Sequence, residues 1–252
     1  MQRVDLAILG ATEMEIAPLG VFKKSGTLRL AGRDFSLCTC RGLRFLSGTT
    51  GIGKVNAAAT TAAVLSNFQA GEVWNVGCAG AYTGSRMRIG DVLVSDNCMC
   101  ADEGILRVEG TAPLSEIAIP LVVKNGVAFS DSFPLEKSLE RGKIRSIAPE
   151  GVYEEGGFQV LYGSSLTVGM TSGDRPTALE RFRRFGAFTE NMEASAIAQT
   201  CLLFDVPFLE IRGVSNIAGD RDKARWDLSA AVDHCLAIVT LLLDKLSQRP
   251  LE

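Results

Sequence analysis

The sequence is poor in the residues that indicate a metal site or a disulfide framework. It has one histidine, His234, and seven cysteines, an odd number. Cys38/Cys40 and Cys98/Cys100 have C-x-C spacing in alternating apolar stretches, where both thiols of a pair face one side of a strand. Zinc sites usually combine four Cys or His ligands, often with C-x₂-C spacing. We therefore expect reduced, mostly buried thiols and no metal site.

An excess of positive charge and long apolar runs are also missing. The 252 residues carry a net charge of -3, which gives no basic surface for nucleic acid. No uninterrupted apolar run reaches the ~18 residues of a membrane span. The first residues, MQRVDLAILG, enter a strand-like run directly, without the charged region, apolar core and cleavage site of a signal peptide. We expect a cytoplasmic protein with a small-molecule partner and no nucleic-acid or membrane partner.

Apolar residues (46%) and glycines (26) are abundant, which allows a large core and many turns between strands and helices. Short apolar runs predict strands, and longer amphipathic or alanine-rich stretches predict helices. The predicted strands are Val4–Leu9, Leu28–Leu30, Phe35–Cys40, Leu43–Thr49, Glu72–Val76, Asp91–Ser95, Leu166–Met170 and Pro207–Val214. The predicted helices are Lys54–Phe68, Arg175–Phe185, Met192–Leu203 and Leu228–Leu246.

This alternation predicts an α/β fold. We expect one domain over residues 1–252, with a mixed, mostly parallel central sheet flanked by helices on both faces. Residues 101–163 hold four of the eight prolines and no sustained periodicity, so loops with short strands are expected over one edge. The apolar stripe of Lys54–Phe68 fits either the core or an oligomer interface.

Ligands of such sheets bind beyond the carboxyl ends of the strands. Segments rich in Gly, Ser, Thr, Asp or Glu follow the predicted strands there, and Gly77–Ala81 is expected to be a loop. The functional site is therefore expected in Gly10–Glu15, Thr49–Gly53, Gly77–Gly80, Thr171–Asp174 and Ser215–Asp222.

Motifs at these strand ends resemble those of the nucleoside phosphorylase and nucleosidase superfamily. They span nearly the whole chain in the family's order, which makes the set far more specific than any one motif. The resemblance implies a nucleoside phosphorylase-like fold, a nucleoside substrate, no cofactor, and a homo-oligomer, with a dimer favoured. The motifs are Gly10-Ala11-Thr12-Glu13-Met14-Glu15, Gly51-Ile52-Gly53-Lys54, Asn75-Val76-Gly77-Cys78-Ala79-Gly80, Asn191-Met192-Glu193-Ala194 and Arg212-Gly213-Val214-Ser215-Asn216.

Glu15 is the candidate catalytic base. It lies where the resembling methylthioadenosine and S-adenosylhomocysteine nucleosidases have the glutamate that activates water. A carboxylate there would repel the phosphate that a phosphorylase binds, so hydrolysis is favoured over phosphorolysis. The alternative is a surface glutamate at a helix start.

The same resemblance assigns Glu193 and Met192 to the ribose, and Cys78, Ala79 and Gly80 to the base. A carboxylate suits the ribose because it accepts hydroxyl hydrogen bonds and favours positive charge on the ring. The alternative for Glu193 is a carboxylate at a helix N-terminus without a ligand.

Asn216 departs from the adenine-specific nucleosidases, which have an aspartate there. An amide NH₂ donates to acceptors, and a 6-oxopurine presents two, N7 and O6. Asn216 is therefore a candidate catalytic and base-binding residue for a hypoxanthine-type leaving group. The alternative is a turn asparagine before Ala218-Gly219.

A nucleosidase with this preference resembles the futalosine hydrolase family, which releases hypoxanthine and dehypoxanthine futalosine in menaquinone biosynthesis. The substrate's carboxyphenyl ketone on the 5′ side calls for an aromatic surface and a cation. Trp226 lies where related nucleosidases have a phenylalanine against the 5′ group. Arg221, Arg225 and Arg212 are candidate partners for the carboxylate, and the sequence does not choose among them.

Arg175-Pro176 replaces the phenylalanine that stacks on the base in related nucleosidases, which leaves Pro176 and Thr177 as weak substitutes. Asp220 is the second candidate for the catalytic base. Three alternative functions remain open from the sequence: a methylthioadenosine/S-adenosylhomocysteine nucleosidase, a purine nucleoside phosphorylase, and a nucleoside-binding sensor that has lost catalysis.

Overall fold

Strands alternate with helices along most of the chain. The computed structural model describes residues 1–108, 110–135, 141–154 and 156–247. The helices are α1 (Glu13–Ile16), α2 (Lys54–Asn67), α3 (Arg141–Ile147), α4 (Arg175–Phe185), α5 (Ala194–Phe204) and α6 (Leu228–Leu246). The strands are β1 (Gln2–Gly10), β2 (Lys23–Leu30), β3 (Arg33–Cys40), β4 (Leu43–Thr49), β5 (Phe68–Ala81), β6 (Val92–Cys100), β7 (Gly104–Arg107), β8 (Gly110–Pro113), β9 (Val122–Lys124), β10 (Val127–Phe129), β11 (Ser132–Pro134), β12 (Gly151–Tyr153), β13 (Phe158–Thr167), β14 (Thr189–Asn191) and β15 (Phe208–Ile217).

Eleven of these strands form one mixed sheet: nine in the order β11-β6-β13-β14-β5-β1-β4-β3-β2, β12 added on β13, and β15 between β5 and β6. The central pairings are parallel: β1 with β4 and β5, β5 with β15, and β13 with β6 and β14. Because β15 pairs with both β5 and β6, the strands β5, β15, β6, β13 and β14 close into a ring. The predicted single α/β domain with a mixed sheet and a mostly parallel core is confirmed.

Alternate residues of β1 belong to two separate hydrophobic cores, because successive side chains of a strand point to opposite faces of the sheet. Leu6 and Ile8 pack with α6 on one face, while Ala7 and Leu9 pack with α2 and α5 on the other. The sheet is therefore covered by helices on both faces. The apolar stripe of α2 belongs to the second core.

The C-terminal helix α6 has the bounds that the sequence predicts. By length and composition alone, the described segment Lys223–Leu246 is long and apolar enough to cross a membrane, a test that core helices also pass. Its side chains Leu236, Val239 and Leu243 are buried in the core of the fold.

The prediction of a loop at Gly77–Ala81 is wrong, because β5 continues to Ala81. The strand is held on one side by β15 as far as Ile217 and on the other by β14. Gly77 continues the strand at a φ of 152°, in a region that residues with side chains rarely adopt. The glycines of this segment therefore allow close contacts within a strand.

Other boundaries shift by a few residues. β15 continues to Ile217, so Asn216 lies in a strand, and α5 begins at Ala194, after Met192 and Glu193. The sequence did not predict the short strand β14, and β13 runs from Phe158 to Thr167, earlier than expected. The predicted short strands of 101–163 are present, although residues 109, 136–140 and 155 of that range, like residues 248–252 of the predicted domain, lie outside the described residues.

Candidate active site

The loops after β1 and β4 meet at the carboxyl edge of the sheet. Gly10 and Thr49 are register partners in the parallel pair β1–β4. The amide of Thr50 donates to the carbonyl of Gly10 at 2.7 Å, and that of Gly51 donates to Ala11 at 3.0 Å. Two of the predicted site segments are therefore joined through their backbones.

Glu15 is buried at this junction, with 6% of its surface exposed. Its Oε2 accepts hydrogen bonds from the amides of Ala11 and Thr12, both at 2.8 Å, and its Oε1 accepts from the amide of Cys78 at 2.9 Å. A side chain at Gly77 would overlap Oε1. The alternative of a surface glutamate at a helix start is wrong.

Arg212 lies beside Glu15 and is fully buried. Its Nε donates to Glu210 at 2.8 Å, and its Nη2 donates to Asn75 and lies 3.9 Å from Glu193. Burial alone would lower the pKa of Arg212, but the carboxylates of Glu210, Glu193 and Glu15 outweigh burial and raise it. The guanidinium is therefore held in its charged form.

One nitrogen of Arg212 is left without a protein partner in the described part of the chain. Nη1 is buried and has no hydrogen-bond partner among the described residues. A Cβ built on Gly77 would meet both this nitrogen, at 3.0 Å, and Oε1 of Glu15. A donor, Arg212 Nη1, and an acceptor, Glu15 Oε1, thus both lie beside Gly77.

Glu193 reaches the same centre from the N-terminus of α5. Its Oε1 accepts from the amide of Gly53 at 3.0 Å, and Asn191 Oδ1 accepts from the amide of Glu193 at 3.0 Å. Burial raises the pKa of Glu193, Arg212 and the Gly53 amide oppose that rise, and Glu15 reinforces it. The raised pKa makes this carboxylate a strong hydrogen-bond acceptor.

The predicted base-binding residues lie on adjacent strands. Asn216 pairs with Gly80 across β15 and β5, and a Cβ on Gly80 would lie 3.3 Å from Asn216 Nδ2. Asn216 Oδ1 accepts from Ser215 Oγ at 2.9 Å, and Nδ2 donates to its neighbour's carbonyl at 3.2 Å. The alternative of a turn asparagine is wrong, while the base-binding role stays a prediction.

Cys78 and Ala79 line the same stretch of β5. Burial raises the pKa of Cys78 to about 12, with Glu15 and Cys235 adding to the rise and Arg212 opposing it. The Cys78 side chain is therefore a neutral thiol. Ala79 is buried, so it has little surface to offer a ligand. The structure places both residues within the site, but the assignment to the base stays a prediction.

The loop after β15 carries the predicted 5′ residues. Trp226 Nε1 donates to the carbonyl of Asp220 at 3.0 Å, and the guanidinium of Arg221 lies 5.0 Å from the centre of the Trp226 ring. Arg225 donates two hydrogen bonds to Asp220, at 2.7 and 2.8 Å, and lies 3.4 Å from Asp222. Arg225 is therefore already paired with carboxylates.

These contacts bear on which arginine could pair with the substrate carboxylate and on whether Asp220 could be the catalytic base. Arg212 is bound inside the core, away from solvent, and Arg225 has carboxylate partners, whereas Arg221 forms no ion pair among the described residues. Arg225 and the Asp222 amide lower the pKa of Asp220. A lowered pKa makes Asp220 a weaker base, which argues against it as the second candidate for the catalytic base.

The segment Thr171–Asp174 is anchored by protein contacts. Ser172 donates to Glu190 through its amide at 2.8 Å and its hydroxyl at 2.6 Å, and Asp174 caps α4 by accepting from Thr177 at 2.8 Å. The amide and hydroxyl of Ser172 are thus already hydrogen-bonded within the protein. Whether Pro176 and Thr177 cover the base stays a prediction.

All seven cysteines are free and six are buried, while their reduced state stays a prediction. Within the described ranges, no group of three or more His, Cys, Asp or Glu side chains could hold a metal ion. The sequence analysis assigned no role to Asn75 and Asn191, although both lie in its motifs, and it did not single out Glu210. For Asn75 and Glu210 a signal was present, since each is a polar residue in an apolar strand, where an unpaired polar group is costly.

The fold and this centre define a class: an α/β enzyme with two buried carboxylates and a charged arginine at the carboxyl edge of its sheet. Residues 5–245 match the family described as the phosphorylase superfamily. The chain belongs to this superfamily.

The comparisons narrow the class. The chain is 35% identical over 217 residues to a futalosine hydrolase of Thermus thermophilus, covering 85% of this chain and 89% of that one. It is 30% identical over 251 residues to a 5′-methylthioadenosine/S-adenosylhomocysteine nucleosidase of Bacillus velezensis, covering 96% and 100%. A solved nucleosidase of the latter kind from Colwellia psychrerythraea, in complex with adenine, matches with a TM-score of 0.77 at 24% identity, covering 100% and 98%. The chain is therefore an enzyme, a hydrolase of the nucleosidase type.

Proposed function

We propose that this enzyme hydrolyses the N-ribosidic bond of futalosine and releases hypoxanthine. The observation that carries the choice of base is Asn216, whose amide lies beside Gly80 where a purine edge would be recognised. The similarity to the Thermus thermophilus futalosine hydrolase supports the choice of nucleoside.

The proposed position of the attacking water is beside Gly77, where it would contact both Arg212 Nη1 and Glu15 Oε1. Arg212 Nη1 would donate to the water oxygen, and Glu15 Oε1 would accept one of its protons. The other oxygen of Glu15 is occupied by the amides of Ala11 and Thr12, which fixes the carboxylate in place. As the water attacks C1′, the proton passes to Glu15 acting as general base.

Glu193 is the proposed ribose ligand. Its raised pKa makes it a good acceptor for sugar hydroxyls, and its position beside Glu15 puts two carboxylates near the ring. Positive charge that builds on the ribose in the transition state is stabilised by these buried negative groups. Met192, half-buried next to Glu193, would line the sugar.

Asn216 and the loop after β15 are the proposed specificity elements. The Asn216 amide would donate to N7 and O6 of hypoxanthine, which relieves the negative charge of the departing base. Trp226 and Arg221, which stack on one another, would meet the carboxyphenyl group on the 5′ side. Arg221 is the favoured carboxylate partner because Arg212 and Arg225 are already bound to acidic side chains.

The second candidate function is a methylthioadenosine/S-adenosylhomocysteine nucleosidase, favoured by the similarity to the Bacillus velezensis enzyme. The deciding experiment measures base release from futalosine, inosine and methylthioadenosine, each with and without phosphate. Cleavage of futalosine at the highest kcat/KM supports the proposal. A higher kcat/KM for methylthioadenosine replaces it with the second candidate.

We also propose that the enzyme is a cytoplasmic homodimer. A cavity of about 570 Å³ between α5 and the strands β9 to β11 is lined by apolar side chains that include Phe129, Phe133 and Leu202. None of the residues around Gly77 lines this cavity, so its apolar surface could serve the proposed dimer interface without involving the active site. Light scattering on the purified protein checks this assembly, and a monomer at micromolar concentration contradicts it.

A further inference from the structure

Glu210 is a buried carboxylate that the proposed reaction does not use. It lies two residues before Arg212 in β15, so both side chains project from the same face of the strand. Both are fully buried. A buried charge is costly unless it is paired and hydrogen-bonded, so the position of Glu210 calls for an explanation.

The contacts of Glu210 come from the strands that close the ring. Oε2 accepts hydrogen bonds from Cys98 Sγ of β6 at 2.9 Å and from Ser165 Oγ of β13. Oε1 accepts from Asn191 Nδ2 of β14 at 3.0 Å and from Arg212 Nε at 2.8 Å. All these partners are donors, as the acceptor-only form of a carboxylate requires.

We propose that Glu210 is a positioning residue that aligns the water-binding and the ribose-binding side of the active site through a single carboxylate oxygen. Oε1 holds Arg212, whose Nη1 faces Glu15, and it holds Asn191, which caps the helix that begins after Glu193. The inference rests on the proposed function, because Glu210 acts through groups to which that proposal assigns the reaction.

The first part of this role is geometric. With Nε bound to Glu210 and Nη2 bound to Asn75, the planar guanidinium has a single orientation, in which Nη1 is left for a ligand. Asn191 is fixed in the same way: Nδ2 donates to Glu210 while Oδ1 accepts from the amides of Glu193 and Ala194, at 3.0 and 2.9 Å. Loss of Glu210 Oε1, the acceptor that they share, would leave both Arg212 and Asn191 less firmly oriented.

The second part is electrostatic. Arg212 carries a full positive charge next to Glu15 and Glu193, and a positive charge at short range makes a carboxylate more acidic. The charge of Glu210 offsets that of Arg212. Cys98, the other titratable group in contact with Glu210, stays a thiol, since burial and then Glu210 raise its pKa well above the ordinary value. Glu210 therefore lies where its charge offsets part of the positive charge that Arg212 places beside Glu15 and Glu193.

The test compares Glu210→Gln with the matched control Glu72→Gln. Glu72 is also fully buried, lies in β5 and accepts from Trp74 two residues away at 2.9 Å, a contact outside the site. For Glu210→Gln we expect kcat to fall about tenfold to hundredfold with little change in KM. We also expect the acid limb of the pH profile of kcat/KM to move to lower pH, because the charge of Arg212 is then less offset. For Glu72→Gln we expect neither change.

Glu210→Asp separates the two parts of the role and decides the question if the glutamine variant does not fold. It keeps the charge but shortens the side chain, so kcat should fall while the acid limb stays in place. Equal kcat and an equal pH profile for wild type and either folded Glu210 variant would overturn the inference. Failure of the wild-type enzyme to cleave any nucleoside would instead overturn the proposed function, so the two failures are distinguishable.

Discussion

The buried centre around Gly77 and the exposed loop after β15 are built in opposite ways. Glu15, Glu193 and Arg212 are each at most 6% exposed. Besides near neighbours, each has a partner far away in the sequence: Cys78 for Glu15, Gly53 for Glu193 and Asn75 for Arg212. In the loop, Arg221 and Arg225 are exposed and bond mainly to Asp220, Asp222 and Trp226 a few residues away.

This difference separates two tasks. Long-range contacts in a buried site fix charges where the bond breaks, and the surrounding fold holds them in place. A loop with local contacts can change its side chains at little cost to the fold. We therefore assign the hydrolytic step to the buried centre and much of the choice of nucleoside to the loop and to Asn216 at the border between them.

The substitution Glu15→Gln should have the largest effect, and it tests whether the buried centre carries out the hydrolytic step. Because the amide cannot take a proton from water, kcat should fall by about a hundredfold or more, the usual scale for loss of a general base. Steady-state rates of base release measure the effect. Glu13→Gln, on the exposed side of the same short helix, is the control and should be unchanged. A Glu15 variant within twofold of wild type would move the base elsewhere.

Glu193→Gln should lower kcat and raise KM together, with a combined loss of about tenfold to hundredfold in kcat/KM. The variant loses an acceptor whose bonds to the ribose hydroxyls strengthen in the transition state. Full kinetic curves with one nucleoside provide both constants. The exposed Glu180→Gln on α4 serves as the control, and an unchanged KM would argue against ribose contact.

Asn216→Asp tests the border between the two regions. The wild-type amide should favour a 6-oxo over a 6-amino nucleoside with the same 5′ group by about tenfold to hundredfold in kcat/KM, because a mismatched donor costs ~1–3 kcal/mol. A protonated aspartate donates to N7 and accepts from the amino group, so the variant should narrow or reverse the preference. An identical preference in both proteins would remove Asn216 from base recognition.

Arg221→Gln should have the smallest effect. An exposed cation contributes at most about 1 kcal/mol to an ion pair, so KM for futalosine should rise up to about fivefold. Inosine lacks the carboxylate, and its KM should not change. Arg225→Gln removes a cation that is already paired, and it should affect both nucleosides alike. Equal effects of Arg221→Gln on the two substrates would contradict the assignment.

The sequence predicted most of the fold because several central strands contain short apolar runs, such as Leu6–Leu9 of β1, and the helices α4 and α6 have clear periodicity. The bounds of α4 and α6 match the prediction. It failed at Gly77–Ala81, since glycine-rich segments usually indicate loops. There the glycines make room for Glu15 and Asn216 inside a strand.

The site was predicted residue by residue only where a motif names the residue. Glu15, Glu193 and Asn216 were predicted in this way, and the structure brings the first two to one centre, while their roles stay proposals. The sequence did not predict the role proposed for Arg212 Nη1, because the orientation of the guanidinium depends on Glu210 of the same strand and on Asn75 of the neighbouring strand β5. Such partners are set by sheet register, which a single sequence does not specify.

The most direct test of the hydrolytic assignment is product analysis in phosphate-free buffer prepared with water enriched in heavy oxygen. The account predicts release of free purine and of a sugar that carries the heavy oxygen at C1′, at a rate that added phosphate does not increase. Base release that requires phosphate and yields a sugar 1-phosphate would contradict it.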